Sequence, residues 1–175
     1  MSGGVPIVET ERLRMRPHGL ADLDASLAMW ADAEVARHIS NKSSTREECW
    51  SRILRYAGHW SLMGFGYWLV EEKTTGRFVG EAGFGDFKRE MVPDFGGAPE
   101  HGWALAPWAH GKGYATEAGQ AALAWAKTKF GARDVVCMIS PENAPSLRVA
   151  ERLGYVEYGR TVFKGGENIL FRRPL

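Results

Sequence analysis

Between Pro107 and Ala118 the sequence reads PWAHGKGYATEA. Gly111 and Gly113 leave the main chain uncovered at two alternate positions, where glycine admits unusual dihedrals and the close approach of another group. A helix predicted to begin near Tyr114 would add unpaired N–H groups and a partial positive charge. Lys112, between the glycines, adds a full charge. These residue types at this spacing make a cradle for phosphate. A nucleoside-triphosphate loop is excluded, because GxxxxGK followed by Ser or Thr does not occur. A dinucleotide fingerprint would need a third glycine where Thr116 stands. On this segment alone, a glycine-bearing turn without a ligand is the alternative.

The elements that must position the cradle lie on either side. His101 to Ala106 (HGWALA) reads as an apolar strand running into it. Tyr114 to Phe130 reads as a helix, apolar at Ala115, Ala118, Ala122, Trp125 and Ala126, with Gly131 as its stop. Upstream, Glu11 to Pro17 alternates as a strand, and Leu20, Leu23, Leu27 and Trp30 recur at helical spacing. Thr45 and Glu48 form a capping box for a helix carrying Trp50, Ile53, Leu54 and Ala57 and ending near Gly58. GYWLVEE and RFVGEAGF are two strands joined by a polar turn, and Lys88 to Pro99 is an irregular loop. RDVVCMIS reads as a strand buried on both faces. A short helix bearing Leu147, Ala150 and Leu153 follows, stopped by Gly154, and YVEYGRTVF and ENILFRR are two further strands. No repeat or linker interrupts this order, which predicts one mixed α/β domain over residues 1–175.

Composition narrows the function classes. Lys+Arg 22 against Asp+Glu 21 leaves a formal net charge of +1, without the basic excess of a dedicated nucleic-acid binder. Cys49 and Cys137 make no CxxC pair, and the histidines make no HExxH, so no disulfide framework or metal site is expected. The N-terminus shows no signal h-region and no apolar run reaches membrane-spanning length, so the expected location is the cytoplasm, without a membrane partner.

Three strings in order, ETERL (Glu9 to Leu13), HGKGYATEA, and NAPSLRVAERLGY (Asn143 to Tyr155), resemble the GNAT acetyltransferase superfamily. Within it they look like the branch that includes the ribosomal-protein N-terminal acetyltransferases. The resemblance spans Glu9 to about Phe171. It implies a GNAT-type α/β (α+β) fold: a single mixed, mostly antiparallel, seven-stranded sheet that splays near its middle, flanked by about four helices. It also implies acetyl-coenzyme A as co-substrate in the opening and no metal. The family's pyrophosphate signature falls on His110, Gly111, Lys112, Gly113, Tyr114 and Ala115, with His110 where the family has Gln or Arg. The backbone carries most of that contact, and His110 either donates to phosphate or caps the turn. Thr116 is placed to offer a hydroxyl to phosphate or to its own helix.

The resemblance also distributes chemical roles. Acetylating an amine requires removal of its proton, and the family's base, where one exists, is often a carboxylate on the strand before the glycine loop. Glu100 matches that position, Glu81 on the neighbouring strand is the second candidate, and a desolvated carboxylate there is expected to have a raised pKa. His101 should face the opposite side of the sheet. Main-chain N–H groups of Trp103, Ala104 or Leu105 would stabilise the oxyanion, and Ala104 to Ala106 are expected edges for the pantetheine arm. Many relatives place a tyrosine where this chain has Ala150. Here Ser146 is the candidate to protonate the departing thiolate, with Asn143 holding the pantetheine, although both could simply cap a helix. Arg148 and Arg152 could reach the adenosine phosphate.

The resulting expectation is an acetyl-coenzyme A dependent N-acetyltransferase working by direct transfer, with neither cysteine near the cleft. Its acceptor is a primary amine: a protein N-terminus, an amino acid or a small amine. Asp86, Glu90 and Asp94 could attract a cationic acceptor, and the assembly is compatible with a homodimer. A non-catalytic acyl-coenzyme A sensor on the same scaffold is the rival reading.

Overall fold

The computed structural model describes residues 4–175. Alternation at Leu13–Arg16 makes strand β2, whose Leu13 and Met15 are fully buried while its arginines point outward. The two-residue strand β1 (Val8–Glu9) pairs against it. β3 (Tyr67–Glu72), β4 (Phe78–Gly85) and β5 (Glu100–Leu105) continue the sheet antiparallel. β6 (Asp134–Ile139) joins β5 parallel, β8 (Gly166–Pro174) pairs with β6, and β7 (Val156–Phe163) forms the outer edge. The order is β1-β2-β3-β4-β5-β6-β8-β7.

Five α-helices flank this sheet: α1 (Leu23–Trp30), α2 (Ala33–Ala36), α3 (Arg46–Met63), α4 (Tyr114–Phe130) and α5 (Ala144–Arg152). The fold class follows the expectation, but among the described residues the counts are eight strands and five α-helices rather than seven and about four. β1 and α2 are too short to show a period. α2 is one turn, started by Asp32, whose side chain accepts from the N–H groups of Glu34 and Val35. α3 opens on the expected Thr45–Glu48 capping box but passes Gly58 and ends at Gly64, which is left-handed at φ 69°. The added turn carries Trp60, packed edgewise on Trp68 and Trp125 and donating from Nε1 to the Tyr67 carbonyl at 2.9 Å. Leu20 and Leu54, expected on apolar faces, are largely exposed.

The faces of the sheet are distinguished by β4–β5 register. Ala82 and Phe84 share one face with Trp103 and His101, and α4 covers it with Ala118, Ala122 and Ala126. Glu81, Gly83 and Gly85 share the other face with Ala104, Gly102 and Glu100, beneath α1 and α3. α4 and α5 meet where Gly119 leaves room for Leu153; a β-carbon there would stand 2.6 Å from Leu153 Cδ1.

Candidate active site

The glycine turn combines two left-handed glycines with an uncapped helix start. A 3₁₀ turn at Pro107–Ala109 ends β5's run, Gly111 and Gly113 take φ of 72° and 79°, and α4 begins at Tyr114 without a side-chain cap. The amides of its first turn are therefore left for a ligand. Thr116 Oγ1 is buried in that turn and has no protein partner among the described residues. Glu117, which would oppose an anion, is turned aside: Arg12 grips it at 2.6 Å and Thr10 donates to it at 2.5 Å. Burial alone would raise the Glu117 carboxyl, but these donors hold it below its ordinary value. Arg12 also donates to the Lys112 carbonyl at 3.0 Å, fixing the turn. Lys112 Nζ lies 4.6 Å from the centre of the Trp108 ring, and Tyr114 donates to Glu72 at 2.6 Å. His110 faces the Leu105 carbonyl at 2.9 Å through Nε2, which ties the turn to the strand.

The sheet opens beside this turn. β5 and β6 share one registered pair, Glu100 with Val136, and Val136 N–H donates to the Pro99 carbonyl at 3.1 Å. The amide of Ala106 donates to Val79 on β4 at 2.8 Å. With a period of two, the amide of Ala104 also faces β4, while those of Trp103 and Leu105 face the gap. This corrects the expectation for Ala104: its N–H belongs to the β4 ladder and cannot stabilise an oxyanion, although its side chain lines the cleft. Ala106, paired in the same way, is likewise not an open edge. Leu105 keeps its N–H toward the gap while its carbonyl accepts from His110.

A cleft of about 1120 Å³ runs from this gap toward α3. Gly102, Trp103 and Ala104 form one lip, and Met138, Ile139 and Ser140 form the other. Asn143 and Ser146 lie beyond β6 on the same cleft. Asn143 Oδ1 accepts from the Ser146 amide at 3.2 Å, so it caps α5 and lines the cleft together. Ala150 is buried in the core, and no tyrosine stands at that place. Cys137 also lines the cleft, contrary to expectation, but burial pushes its thiol well above the ordinary value. Arg148 and Arg152 are not part of this cleft.

The two carboxylates differ. Glu81 is fully buried and accepts from Ser26 Oγ (2.8 Å), Trp30 Nε1 (3.0 Å) and Tyr56 Oη (3.1 Å), with His18 Nε2 at 3.5 Å. Burial opposes its ionisation, yet the nearby His18 and the hydroxyl and indole donors hold its carboxyl below the usual range, the reverse of the raised value expected. Glu100 meets Arg89 in a two-pronged pair, Nε to Oε2 at 2.7 Å and Nη2 to Oε1 at 2.8 Å. It is 7% exposed and lines the cleft. His101 faces away, bonded to Tyr155 at 2.8 Å, and burial pushes it down to about 3.

Sequence reasoning missed the tyrosines. Tyr56 and Tyr67 stack with centroids 4.7 Å apart, and the Tyr67 hydroxyl occupies the space a β-carbon of Gly102 would need. Burial raises both phenols, so they act as hydrogen-bond donors and not as bases. Of the loop acids expected to attract a cation, Glu90 alone lines the cleft. Asp86 is paired with Lys88, and Asp94 is absent from the cleft lining.

Comparison with known proteins agrees with this geometry. The family model described as an acetyltransferase (GNAT) domain matches residues 12–156. A GnaT-family acetyltransferase structure from Bordetella pertussis is 33% identical, with a TM-score of 0.84 over 96% of this chain and 99% of that one. The Bacillus subtilis protein YkkB is 32% identical over 91% of this chain and 90% of its own length. RimL, a ribosomal-protein α-N-acetyltransferase solved with coenzyme A, is 16% identical with a TM-score of 0.79 over 97% and 98%, and so shares the fold. The chain belongs to the GNAT acetyltransferase family and is an acyltransferase.

Proposed function

We propose that the protein transfers an acetyl group from acetyl-coenzyme A directly to a primary amine within a ternary complex. The observation that carries this reading is the open edge of β5 beside an uncapped helix start. Trp103 and Leu105 present N–H groups to the gap, and the glycine turn lies immediately after them. The first-turn amides of α4, with Lys112 and Thr116 Oγ1, hold the pyrophosphate. The Leu105 amide, nearer the glycine turn, pairs with the pantetheine arm as a neighbouring strand would. The Trp103 amide polarises the thioester carbonyl and stabilises the charge that develops on it.

Glu100 takes the amine proton on the lone pairs left free by Arg89, which fixes the carboxylate's orientation. Ser146 Oγ relays a proton from solvent to the departing thiolate while Glu100 gives its proton back to solvent, and Asn143 holds the pantetheine while capping α5. Glu81 is closed off by its donors and acts as a buried brace between β4, α1 and α3. No acyl-enzyme is involved, because burial keeps both thiols protonated.

Two measurements test the reading. Thiol release from acetyl-coenzyme A across amine classes separates a transferase from a silent binder, and no release with any amine overturns the proposal. Replacing Gly111 and Gly113 by valine should weaken coenzyme A about tenfold or more, since left-handed φ costs a non-glycine residue about 1–2 kcal/mol. Unchanged affinity in calorimetry removes the cradle from the mechanism.

A further inference from the structure

The α3 wall of the cleft carries two cations that make no ion pair among the described residues. Arg52 and Arg55 stand three apart on α3, hence on one face, and both line the cleft beside Tyr56. The Arg52 guanidinium lies 3.9 Å from the centre of the Trp30 ring, and its polar contacts are Ser44 Oγ at 3.5 Å and Cys49 Sγ at 4.0 Å. The Arg55 guanidinium lies 5.0 Å from the centre of the Phe87 ring and 6.0 Å from that of Tyr56. Among the described residues, neither has a carboxylate within 4 Å.

Of the other Lys and Arg residues lining the cleft, Lys164, on the β7–β8 turn, has only the Phe163 ring at 5.5 Å, and the rest are matched. Arg89 has Glu100, Lys88 has Asp86, Lys42 has Glu48 and Arg37 has Glu34. The buried acid nearest this wall, Glu81, is already taken by Ser26, Trp30, Tyr56 and His18. Glu90 and Glu142, the lining acids without an ion-pair partner, stand on the loop after β4 and ahead of α5. Stacking on aromatic rings fixes a guanidinium plane while leaving its N–H fork free. A carboxylate is the group that fork fits in two-pronged fashion.

We infer that the acceptor amine carries a carboxylate, and that Arg52 and Arg55 bind it while the amine faces Glu100. This rests on the transferase reading and sharpens its substrate class. The carboxylate can belong to a free amino acid or to an acidic residue following a peptide N-terminus. Two matched pairs distinguish these sources: alanine against alaninamide, and Ala-Asp-amide against Ala-Asn-amide.

Each pair is assayed twice: by thiol release with acetyl-coenzyme A, and by calorimetric binding to the protein loaded with coenzyme A. The anionic member of at least one pair should be favoured about tenfold or more, the scale of a charge-assisted contact. In R52Q/R55Q that ratio should fall to about twofold or less, as one lost charge-assisted pair removes most of it. Arg55 is exposed, so R55E provides a second variant with little risk to folding, and it should lower the ratio in the same direction. Equal binding of both members in both pairs, or a preference that survives R52Q/R55Q and R55E, overturns the inference. Absence of thiol release with retained anion preference in binding would instead sink the transferase reading and leave the anion site standing.

Discussion

Replacing Glu81 probes whether a buried charge braces the acceptor side. Its two oxygens serve Ser26 on one side and Trp30 with Tyr56 on the other, all within 3.1 Å. In Glu81→Gln the amide oxygen can keep Trp30 and Tyr56, while the new NH2 faces Ser26, whose hydroxyl can turn to accept. What is lost is the ionic character of two bonds, about 1 kcal/mol each, and a reoriented third, giving about 2–3 kcal/mol. Glu81→Leu leaves three buried donors without an acceptor, at about 1–3 kcal/mol each before any gain from apolar packing. It should therefore cost about 2 kcal/mol more than the glutamine variant. Urea denaturation at neutral pH measures both. The folded carboxyl titrates below its unfolded value, so its contribution is complete above about pH 4.3 and is lost as pH falls through the folded pKa. The gap between parent and Glu81→Gln should accordingly narrow in acid. A glutamine variant within about 0.5 kcal/mol of the parent, or a gap that widens in acid, would refute the bracing argument.

Two further outcomes follow from the same geometry. Glu100→Gln should cut turnover at least about tenfold with coenzyme A affinity unchanged, because proton removal is affected and the cradle is not; equal turnover in steady-state kinetics would assign that step to solvent. Gly102→Ala forces a methyl group into the Tyr67 hydroxyl and should cost about 1–3 kcal/mol by overpacking, together with slowed transfer; an unshifted Tm would show that the Tyr56–Tyr67 stack yields freely.

The order of strands and long helices was legible because each carries its own period and its own stop, as in Leu13–Arg16 or the Tyr114–Phe130 helix closed by Gly131. The glycine turn was legible for the same reason: its signal is contiguous. What could not be read joins distant positions. Glu81 draws donors from Trp30 and Ser26, 51 and 55 positions away, and from Tyr56, 25 away, with His18 close by, and no spacing rule links them. The Arg89–Glu100 pair closes across a loop without periodic pattern. Gly58 looked like a stop because its neighbour Trp60 gains its packing only from Trp68 and Trp125, which lie on other elements. Ala104 was a plausible donor until ladder parity showed which edge its amide faces.

The single rung between β5 and β6 has a mechanical consequence. The lips of the cleft belong to two hydrogen-bonded ribbons, β1–β5 and β6–β8, with almost no ladder between them to fix their separation. The two ribbons also meet at a distance from the mouth, where α4 packs against α5 at Gly119 and the methyls of Leu153. That contact works as a shim. Thickening it by one carbon would press on both ribbons without touching a residue that lines the cleft.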